Sequence, residues 1–421
     1  MTEEFAYLMR LCGNAAHGRT TANDSKDIDW ERLVALSRQQ MIHPLLGYAL
    51  KISQGLNCPQ RVLQACIQDM QMSSAVNCLR CSEILAILQE MEKAGIPYTL
   101  LKGFDAAQNY AMPCVRVSGD TDVLVELQHK KRATLFLKSK GFVFDRHNVE
   151  SHHMVSHHPT LGCLELHTEL YDKFIEMYWF HTTHPLVQEP HKTVPSEYGD
   201  YVALGTTDNL LFQTLHMVKH FIRSGASLRT MLDISLFYEK NHEAIDKQRY
   251  WNTLHGLKYD MLISTVYRAA ERFCGFPQEL FKEIPHATDE QITLLLNDLE
   301  MGGWLGRNRM EESMNSWREY NHIVMRHEHS EKEYRRIMYK RQTRSLVSML
   351  FPPKHTLAAR YPFVIQKGWL VPFAWIHRTF IRGPRLLRKG ILGHEIVSHP
   401  YELSKNENDR VQLFKKMGMI E

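Results

Sequence analysis

The chain has 421 residues, of which 44% are hydrophobic and 23% are charged, a composition of globular proteins rather than of disordered or fibrous ones. A chain of this length is longer than a domain with a single hydrophobic core usually is, so we expect two or three domains. The acidic N-terminus lacks the basic stretch and apolar run of a secretory signal. No segment approaches the ~20 apolar residues that cross a bilayer, and we therefore expect a cytoplasmic protein.

Helical periodicity dominates residues 1–95. Apolar residues recur at helical spacing in Trp30–Leu50, and Asp29 directly before them is a candidate N-cap. A second helix is predicted over residues 62–93, with Gly95 after it as a normal helix terminator. We therefore predict a helical N-terminal region.

The pattern changes in residues 96–205, where short apolar strands alternate with helices. Strands are predicted at Pro97–Leu101, Thr121–Glu126, Phe142–Phe144, Met154–Ser156 and Cys163–His167, and helices at Phe104–Tyr110 and Leu127–Lys140. This interleaved order predicts an α/β or α+β core.

Helix dominates again after about residue 205. Helices are predicted at Asp208–Arg223, with Asp208 as the cap, at Leu228–Lys240 and at Tyr250–Phe273. The last region differs, because residues 331–390 hold fourteen Lys or Arg and two acids, a net charge of +12 that leaves −8 for the rest of the chain. We therefore divide the chain into residues 1–95, 96–205, 206–330 and 331–421.

Two aspartates lie at the start of a predicted strand. Because alternate residues of a strand point to the same face, Asp120 and Asp122 project together, and adjacent carboxylates repel each other unless a cation lies between them. Glu165, on a later apolar strand, offers a third carboxylate, with Glu169 as the alternative. An all-oxygen site suits Mg²⁺, or Mn²⁺. We predict that Asp120, Asp122 and Glu165 are catalytic residues that bind two such ions.

A turn upstream predicts a phosphate site. Lys102 and Gly103 end one strand and begin a helix, and glycine there lets a phosphate approach the backbone closely, beside the free N–H groups of the helix N-terminus. Arg116 lies four residues before Asp120 and could pair with a phosphate oxygen. The alternative for Lys102 is an ordinary strand end, and for Arg116 a pair with a structural carboxylate.

These motifs together resemble the uncharacterised nucleotidyltransferase family within the polymerase β-like superfamily. That family shows a Leu-Lys-Gly turn, an Arg before an Asp-x-Asp strand, and a later acid-Leu-His strand. Here they are Leu101–Gly103, Arg116, Asp120–Val125 and Glu165–His167. The similarity continues into Leu210–Asp233, where His216 and His220 share a helix face. The chain departs from the wider superfamily at Gly103-Phe104, where Gly-Gly or Gly-Ser is usual.

The resemblance implies transfer of a nucleoside monophosphate from an NTP to a hydroxyl or phosphate acceptor by two-metal catalysis, with release of pyrophosphate. It implies an α+β fold, with a polymerase β-like core of a small mixed sheet and helices, flanked by helical regions at both ends. It does not identify the acceptor, although the basic residues 331–390 favour an anionic one. No P-loop, dinucleotide-binding, nucleophile-elbow or kinase pattern occurs.

Several alternatives stay open. His167, His216 and His220 are candidate substrate contacts, and the two on the helix are otherwise a packed, hydrogen-bonded face. Residues 331–390 either cover an acidic part of the same chain or touch a membrane surface, and they carry no recognised nucleic-acid motif. The chain is accordingly an enzyme, an inactive nucleotide-binding scaffold, or a surface-associated assembly factor. Its oligomeric state is not indicated by the sequence.

Overall fold

A computed structural model describes most of the first 302 residues and short parts of the rest. The described residues are 1–22, 27–53, 55–149, 153–171, 187–223, 225–302, 357, 361, 367–377 and 409–420. Contacts divide the chain into two units, Met1–Arg318 together with Arg410–Glu421, and Glu319–Asp409. The four sequence-based domains, with boundaries after residues 95, 205 and 330, stay predictions.

Three short helices begin the first unit: α1 (Glu3–Ala16), α2 (Trp30–Gln39) and α3 (His43–Ile52). Asp29 caps α2, since its side chain accepts a hydrogen bond from the backbone N–H of Arg32 at 3.0 Å. The helical pattern over Trp30–Leu50 corresponds to two helices, α2 and α3, because the chain breaks between them, where Met41 has a φ of +56°. Pro44 explains the break, since its ring blocks a helix that continues through the residues before it.

A single long helix, α4 (Gln60–Lys93), follows and confirms the helix predicted over residues 62–93. It ends before Gly95, whose φ of +73° suits glycine. On its buried face, the Asn77 side chain donates a hydrogen bond to the carbonyl of Cys114 at 3.1 Å. The helix therefore packs on the core and also holds the segment that leads into the sheet.

Five strands form a mixed sheet in the order β1-β2-β5-β4-β3. The strands are β1 (Thr99–Leu100), β2 (Asp120–Leu124), β3 (Val143–Val149), β4 (His153–His158) and β5 (Gly162–His167), with α5 (Gly103–Ala107) before β2 and α6 (Lys130–Ser139) after it. Strands β2 and β5 are parallel, while the other neighbours are antiparallel. A separate hairpin pairs β6 (Lys192–Val194) with β7 (Tyr201–Ala203). The predicted α+β class, a small mixed sheet with flanking helices, is confirmed.

The helices after the sheet are α7 (Thr206–Arg223), α8 (Leu228–Asn241), α9 (Lys247–Gly256), α10 (Asp260–Cys274) and α11 (Asp289–Gly302). The prediction that Asp208 caps α7 is wrong, because the helix begins two residues earlier. The Asp208 carboxylate instead accepts hydrogen bonds from the backbone N–H groups of Gln188 and Glu189, at 2.9 and 2.7 Å. The predicted helix Tyr250–Phe273 is also divided, since Lys258 adopts a φ of +60° between α9 and α10. The spacing of apolar residues does not reveal so short a turn between two helices.

The last described helix, α12 (Asp409–Lys416), returns to the first unit. Its buried Arg410 donates a hydrogen bond from Nε to Asp298 Oδ1 at 3.0 Å. In the second unit, Leu357, Tyr361 and Ala374 form a small apolar cluster. Most of the basic segment 331–390 lies outside the described residues. Among the described helices, none combines the length and hydropathy needed to cross a bilayer.

Candidate functional site

The two strands at the centre of the sheet have one apolar face and one acidic face. Their apolar residues belong to the core beneath α4, which includes Val123 on β2 and Leu164 and Leu166 on β5. Because side chains alternate along a strand, the acids point away from that core. The parallel register places Asp122 directly opposite Glu165. Because the apolar residues of β2 and β5 face the core, their acids lie together on the other face of the sheet.

Asp122, Glu165 and His167 form a compact group whose candidate ligand atoms all lie within 4.8 Å of one another. His167 Nε2 lies 2.9 Å from Asp122 Oδ1 and 3.5 Å from Glu165 Oε2. Asp122 is 1% exposed, and its Oδ2 has no hydrogen-bond partner among the described residues. A buried carboxylate oxygen is costly without a partner. Two carboxylates and an imidazole are also a donor set that divalent cations accept, so these residues fit a metal ion.

Asp120 lies on the same strand but outside this compact group. It is opposite Cys163 in the register, and it lines a narrow cleft together with Arg80, Phe104 and Tyr198. Glu169, the alternative third acid, lies beyond the end of β5. The candidate metal ligands that the structure brings together are therefore Asp122 and Glu165, with His167 rather than Asp120 beside them. Metal binding by Asp120 stays a prediction.

Lys102 reaches the same group from the end of β1. Its Nζ lies 3.1 Å from Asp122 Oδ1 and donates a hydrogen bond to His216 Nε2 at 2.9 Å. The backbone N–H of Leu101 bonds to the carbonyl of Asp122 at 3.0 Å, which fixes the turn beside β2. Lys102 has a φ of +26°, a region that costs a non-glycine residue of order 1–3 kcal/mol. Its two side-chain contacts help to hold this conformation.

The electrostatics of the group favour charged side chains. Burial opposes the charge of Lys102, but Asp122, Asp120 and Glu165 outweigh it, and the pKa of Lys102 is raised above its ordinary value. Burial likewise opposes the charge of Asp122, but Lys102 and His167 lower its pKa. The pKa of His167 is raised, because its bonds to Asp122 and Glu165 outweigh burial. Lys102 therefore compensates part of the negative charge of this acid cluster, and His167 adds to the compensation when it is protonated.

His216 and His220, one turn apart on α7, have the opposite electrostatics. Burial, Lys102 and the neighbouring ring together lower the pKa of His216 well below its ordinary value. Burial and Lys102 lower the pKa of His220 to about 3. The Nε2 atoms of the two rings are 3.2 Å apart. Both rings are accordingly neutral near pH 7, and His216 can accept the hydrogen bond from Lys102.

Arg116 is paired with a carboxylate of α8. Its Nε and Nη2 donate to the two oxygens of Asp233 at 3.1 and 2.5 Å, and its Nη1 donates to Ser118 Oγ. The Tyr110 hydroxyl donates to the same carboxylate at 2.8 Å. Of the two roles expected for Arg116, a phosphate contact or a pair with a structural carboxylate, the structure has the second. Phosphate binding by Arg116 stays a prediction.

Two further arginines hold the loop that precedes Asp120. Arg80 on α4 donates hydrogen bonds to the carbonyls of Ser118 and Asp120, at 2.8 and 3.3 Å. From the other side, Arg229 on α8 donates to the carbonyl of Val117 at 3.1 Å. The sequence gives no signal for Arg80, since its contacts are long-range. Arg229 and Asp233 lie within the family similarity of Leu210–Asp233, but the sequence assigns them no contact.

Gly103 is required by close packing against this loop. A Cβ atom at this position would lie 2.5 Å from Ser118 Oγ, closer than real contacts allow, and 3.3 Å from Ser118 Cβ, so the Ser118 side chain would have to shift. The following helix α5 has only five residues, so its N-terminal dipole is small. Asp105 anchors α5, because it accepts hydrogen bonds from Tyr201 at 2.7 Å and Asn209 at 2.9 Å. Phosphate binding at Lys102 and Gly103 stays a prediction.

The comparison with protein families assigns the class. Residues 26–275, more than half of the chain, match the family described as uncharacterised nucleotidyltransferase. The chain belongs to this family, which confirms the resemblance found in the sequence. The match covers α2 to α10 and therefore all the site residues described above. No curated protein matches the chain.

Two solved structures are similar to parts of the chain. One is the lincosamide antibiotic adenylyltransferase LnuA with lincomycin bound, at 18% identity over 37% of this chain and 94% of that one, with a TM-score of 0.25. Another is an antigenic nucleotidyltransferase-like protein from Paracoccidioides brasiliensis, at 16% identity over 44% of this chain and 89% of that one, with a TM-score of 0.29. Scores this low support no argument about substrate.

Proposed function

We propose that this protein transfers a nucleoside monophosphate from an NTP to a hydroxyl or phosphate acceptor, with a divalent cation, Mg²⁺ or Mn²⁺, as cofactor. Membership of a nucleotidyltransferase family supports the reaction class. The observation that carries the metal requirement is the cluster of Asp122, Glu165 and His167, in which Asp122 Oδ2 is buried without a hydrogen-bond partner among the described residues.

Asp122, Glu165 and His167 are the residues that would hold the cation, and Asp120 extends the same face toward a second one. When bound, a divalent cation neutralises phosphate charge and makes the acceptor oxygen easier to deprotonate. His167 must give up its proton to act as a ligand. Lys102 must also move away from Asp122, and its ammonium group is then available for a phosphate oxygen.

In the proposed reaction, the acceptor oxygen forms a bond to the α-phosphorus of the NTP. The bond from that phosphorus to the oxygen bridging to the β-phosphorus breaks, and pyrophosphate leaves with the electron pair. The acceptor proton passes to a carboxylate of the site. Glu165 suits this role because it is 21% exposed, whereas Asp122 is 1% exposed. Asp120, at the edge of the adjoining cleft, is the other accessible carboxylate.

The first experiment is calorimetric titration of the protein with ATP, GTP, CTP and UTP, with and without Mg²⁺. The isosteric variant Asp122→Asn removes one charge from the cluster, and Asp289→Asn, on the exposed start of α11, is the matched control. We expect metal-dependent binding of at least one nucleotide by the wild type and the control, and its loss in Asp122→Asn. Electron paramagnetic resonance measures the binding of Mn²⁺ alone. We expect it in the wild type and in Asp289→Asn, and its loss in Asp122→Asn.

Nucleotide binding that ignores both the metal and Asp122→Asn would contradict the proposed site. Absence of binding to all four nucleotides by folded protein in the presence of Mg²⁺ would contradict both the enzyme and the nucleotide-binding scaffold, and would favour the surface-associated assembly factor. If binding is found, the preferred nucleotide carries a radioactive α-phosphate in a screen of acceptors. That screen begins with anionic compounds because of the basic residues 331–390.

A second candidate function, contact with a membrane surface, has its own supporting observation. Trp369, Phe373 and Ile376 are exposed at helical spacing in the second unit, within the basic segment, as in helices that lie on anionic bilayers. Flotation of the full chain with vesicles of anionic lipid, compared with zwitterionic vesicles, tests this. Binding to anionic vesicles that is lost on replacing Trp369 and Phe373 by Ser would support it.

A further inference from the structure

The group formed by Asp122, Glu165 and His167 contains a nitrogen donor beside its carboxylate oxygens. His167 follows Glu165 by two residues on β5, so both side chains lie on the same face of the sheet. His167 Nε2 lies 2.9 Å from Asp122 Oδ1 and 3.5 Å from Glu165 Oε2. The imidazole changes the donor set of this group from oxygen alone to a mixture of oxygen and nitrogen.

The spacing of these atoms is that of ligands around one ion. Two ligands at about 2.1 Å from an ion are about 3.0 Å apart at a right angle and about 3.4 Å apart at a tetrahedral angle. The two distances from His167 Nε2 lie close to these values. A hydrogen bond from His167 to either carboxylate leaves the buried Asp122 Oδ2 without a partner among the described residues. Coordination of one cation by all three side chains therefore fits the arrangement.

We propose that this site selects a first-row transition-metal ion over Mg²⁺, and that His167 is the residue that determines the choice. The inference rests on the proposed function and narrows its cofactor, since it favours Mn²⁺ over Mg²⁺. Mg²⁺ prefers oxygen ligands, whereas sites that combine carboxylates with histidine hold manganese, iron or zinc. The preference is one of affinity, so an excess of Mg²⁺ can still occupy the site.

The burial of the site favours the same choice. Mg²⁺ gives up water reluctantly, and it usually keeps several water ligands beside one or two carboxylates from the protein. Here three side chains converge, and those of Asp122 and His167 are 1% and 6% exposed. An ion that binds all three must lose a large part of its water shell, which disfavours Mg²⁺.

The residue that would complete an all-oxygen site lies outside the group. Asp120 is on the same face of β2, but it is opposite Cys163 rather than opposite Glu165. Cys163 is half-buried, and its thiol is another donor that suits transition-metal ions better than Mg²⁺. The ligand-bearing face of β5 therefore presents a thiol, a carboxylate and an imidazole in turn, of which only the carboxylate is a usual ligand of Mg²⁺.

The first test is calorimetric titration of the metal-free full chain with Mn²⁺ and with Mg²⁺, in the absence of nucleotide. We expect the wild type to bind Mn²⁺ more tightly than Mg²⁺. His167→Asp replaces the nitrogen donor by oxygen and should lower the ratio of the two affinities at least about ten-fold, since even the outer partners of metal ligands have effects of that size. His255→Gln, which breaks an exposed pair with Asp260, is the matched control and should leave the ratio unchanged.

Electron spin echo spectroscopy of bound Mn²⁺ is a direct readout of the ligand. We expect magnetic coupling to an imidazole nitrogen in the wild type and in His255→Gln, and its loss in His167→Asp. The wild-type spectrum tests the proposal even where circular dichroism shows that a variant is unfolded.

Bound Mn²⁺ without nitrogen coupling in the wild type, or an affinity ratio that folded His167→Asp leaves unchanged, would overturn the selection by His167 and leave the proposed function standing. Absence of any metal binding by the wild type would overturn both.

Discussion

Arg116 and Asp233, which are 117 positions apart in the sequence, form a buried bidentate ion pair with N···O distances of 3.1 and 2.5 Å. The pair joins the segment before the acidic strand to helix α8, and the Tyr110 hydroxyl completes the coordination of the carboxylate. It fixes the distance between the helical half of the first unit and the strand that carries Asp120 and Asp122.

Asp233→Ala should strongly destabilise the protein. The guanidinium of Arg116 would remain buried without its counter-charge, a loss that typically costs about 3–5 kcal/mol. Urea unfolding followed by circular dichroism measures the change in the free energy of unfolding. Asp289→Ala, which breaks the exposed pair with Arg272, is the control and should cost less than about 1 kcal/mol. Equal costs for the two variants would refute a structural role for the Arg116 pair.

Lys102→Met should make stability depend on divalent metal. Without the ammonium group, the buried carboxylate of Asp122 loses the positive charge that lies 3.1 Å from its Oδ1, so the melting temperature in chelator should fall. Mn²⁺ should then raise the melting temperature of the variant more than that of the wild type, because the ion no longer competes with Lys102. Lys140→Met, at a surface pair, controls for general effects of lysine loss. An identical response to Mn²⁺ in all three proteins would count against a metal at Asp122.

Gly103→Ala should reduce stability by about 1–3 kcal/mol, the usual penalty for overpacking. The new methyl group would collide with Ser118 Oγ, which is itself bonded to Arg116. Gly103→Ala in a Ser118→Gly background tests whether this collision is the cause of the destabilisation. Ser118→Gly removes Oγ and Cβ, the two atoms nearest the new methyl group. The cost of Gly103→Ala should be smaller there than in the wild type, and the comparison uses chemical unfolding. No difference between the two backgrounds would mean that the strain lies elsewhere.

His220 should contribute a loss of stability in acid. Its pKa in the folded protein is lowered to about 3, below the unfolded value of about 6.5. Between these values the unfolded chain binds a proton that the folded protein does not, so the free energy of unfolding falls as pH falls. The slope approaches about 1.4 kcal/mol per pH unit at most, reduced by partial exposure of the ring. His220→Gln should flatten the change between about pH 7 and about pH 5, measured by urea unfolding.

The local parts of the site could be predicted from the sequence. Alternation along a strand places Asp120 and Asp122 on one face, and Glu165 lies on the predicted strand that pairs with theirs. The strand predicted at Cys163–His167 is observed as Gly162–His167. These inferences succeed because they depend on residues within one or two elements, where backbone geometry determines direction.

The remaining contacts depend on the tertiary fold. The bond between Lys102 and His216 spans 114 positions, and the pair of Arg116 with Asp233 spans 117. Helical periodicity places His216 on a face but does not say what that face meets. His167 was predicted as a substrate contact, whereas its position beside Asp122 follows from the β4–β5–β2 strand order, which the sequence does not reveal. Charge partners so distant in sequence require the assembled sheet and helices.

The return of α12 to the first unit has a consequence for synthesis. Arg410 supplies the buried partner of Asp298, yet the ribosome makes it only after all of Glu319–Asp409 has been made. Domains generally fold as they emerge, from the N-terminus onward. The surface that Phe414 covers therefore stays uncovered until α12 leaves the ribosome. A nascent chain of this kind is a natural client for chaperones that shield apolar surfaces during translation.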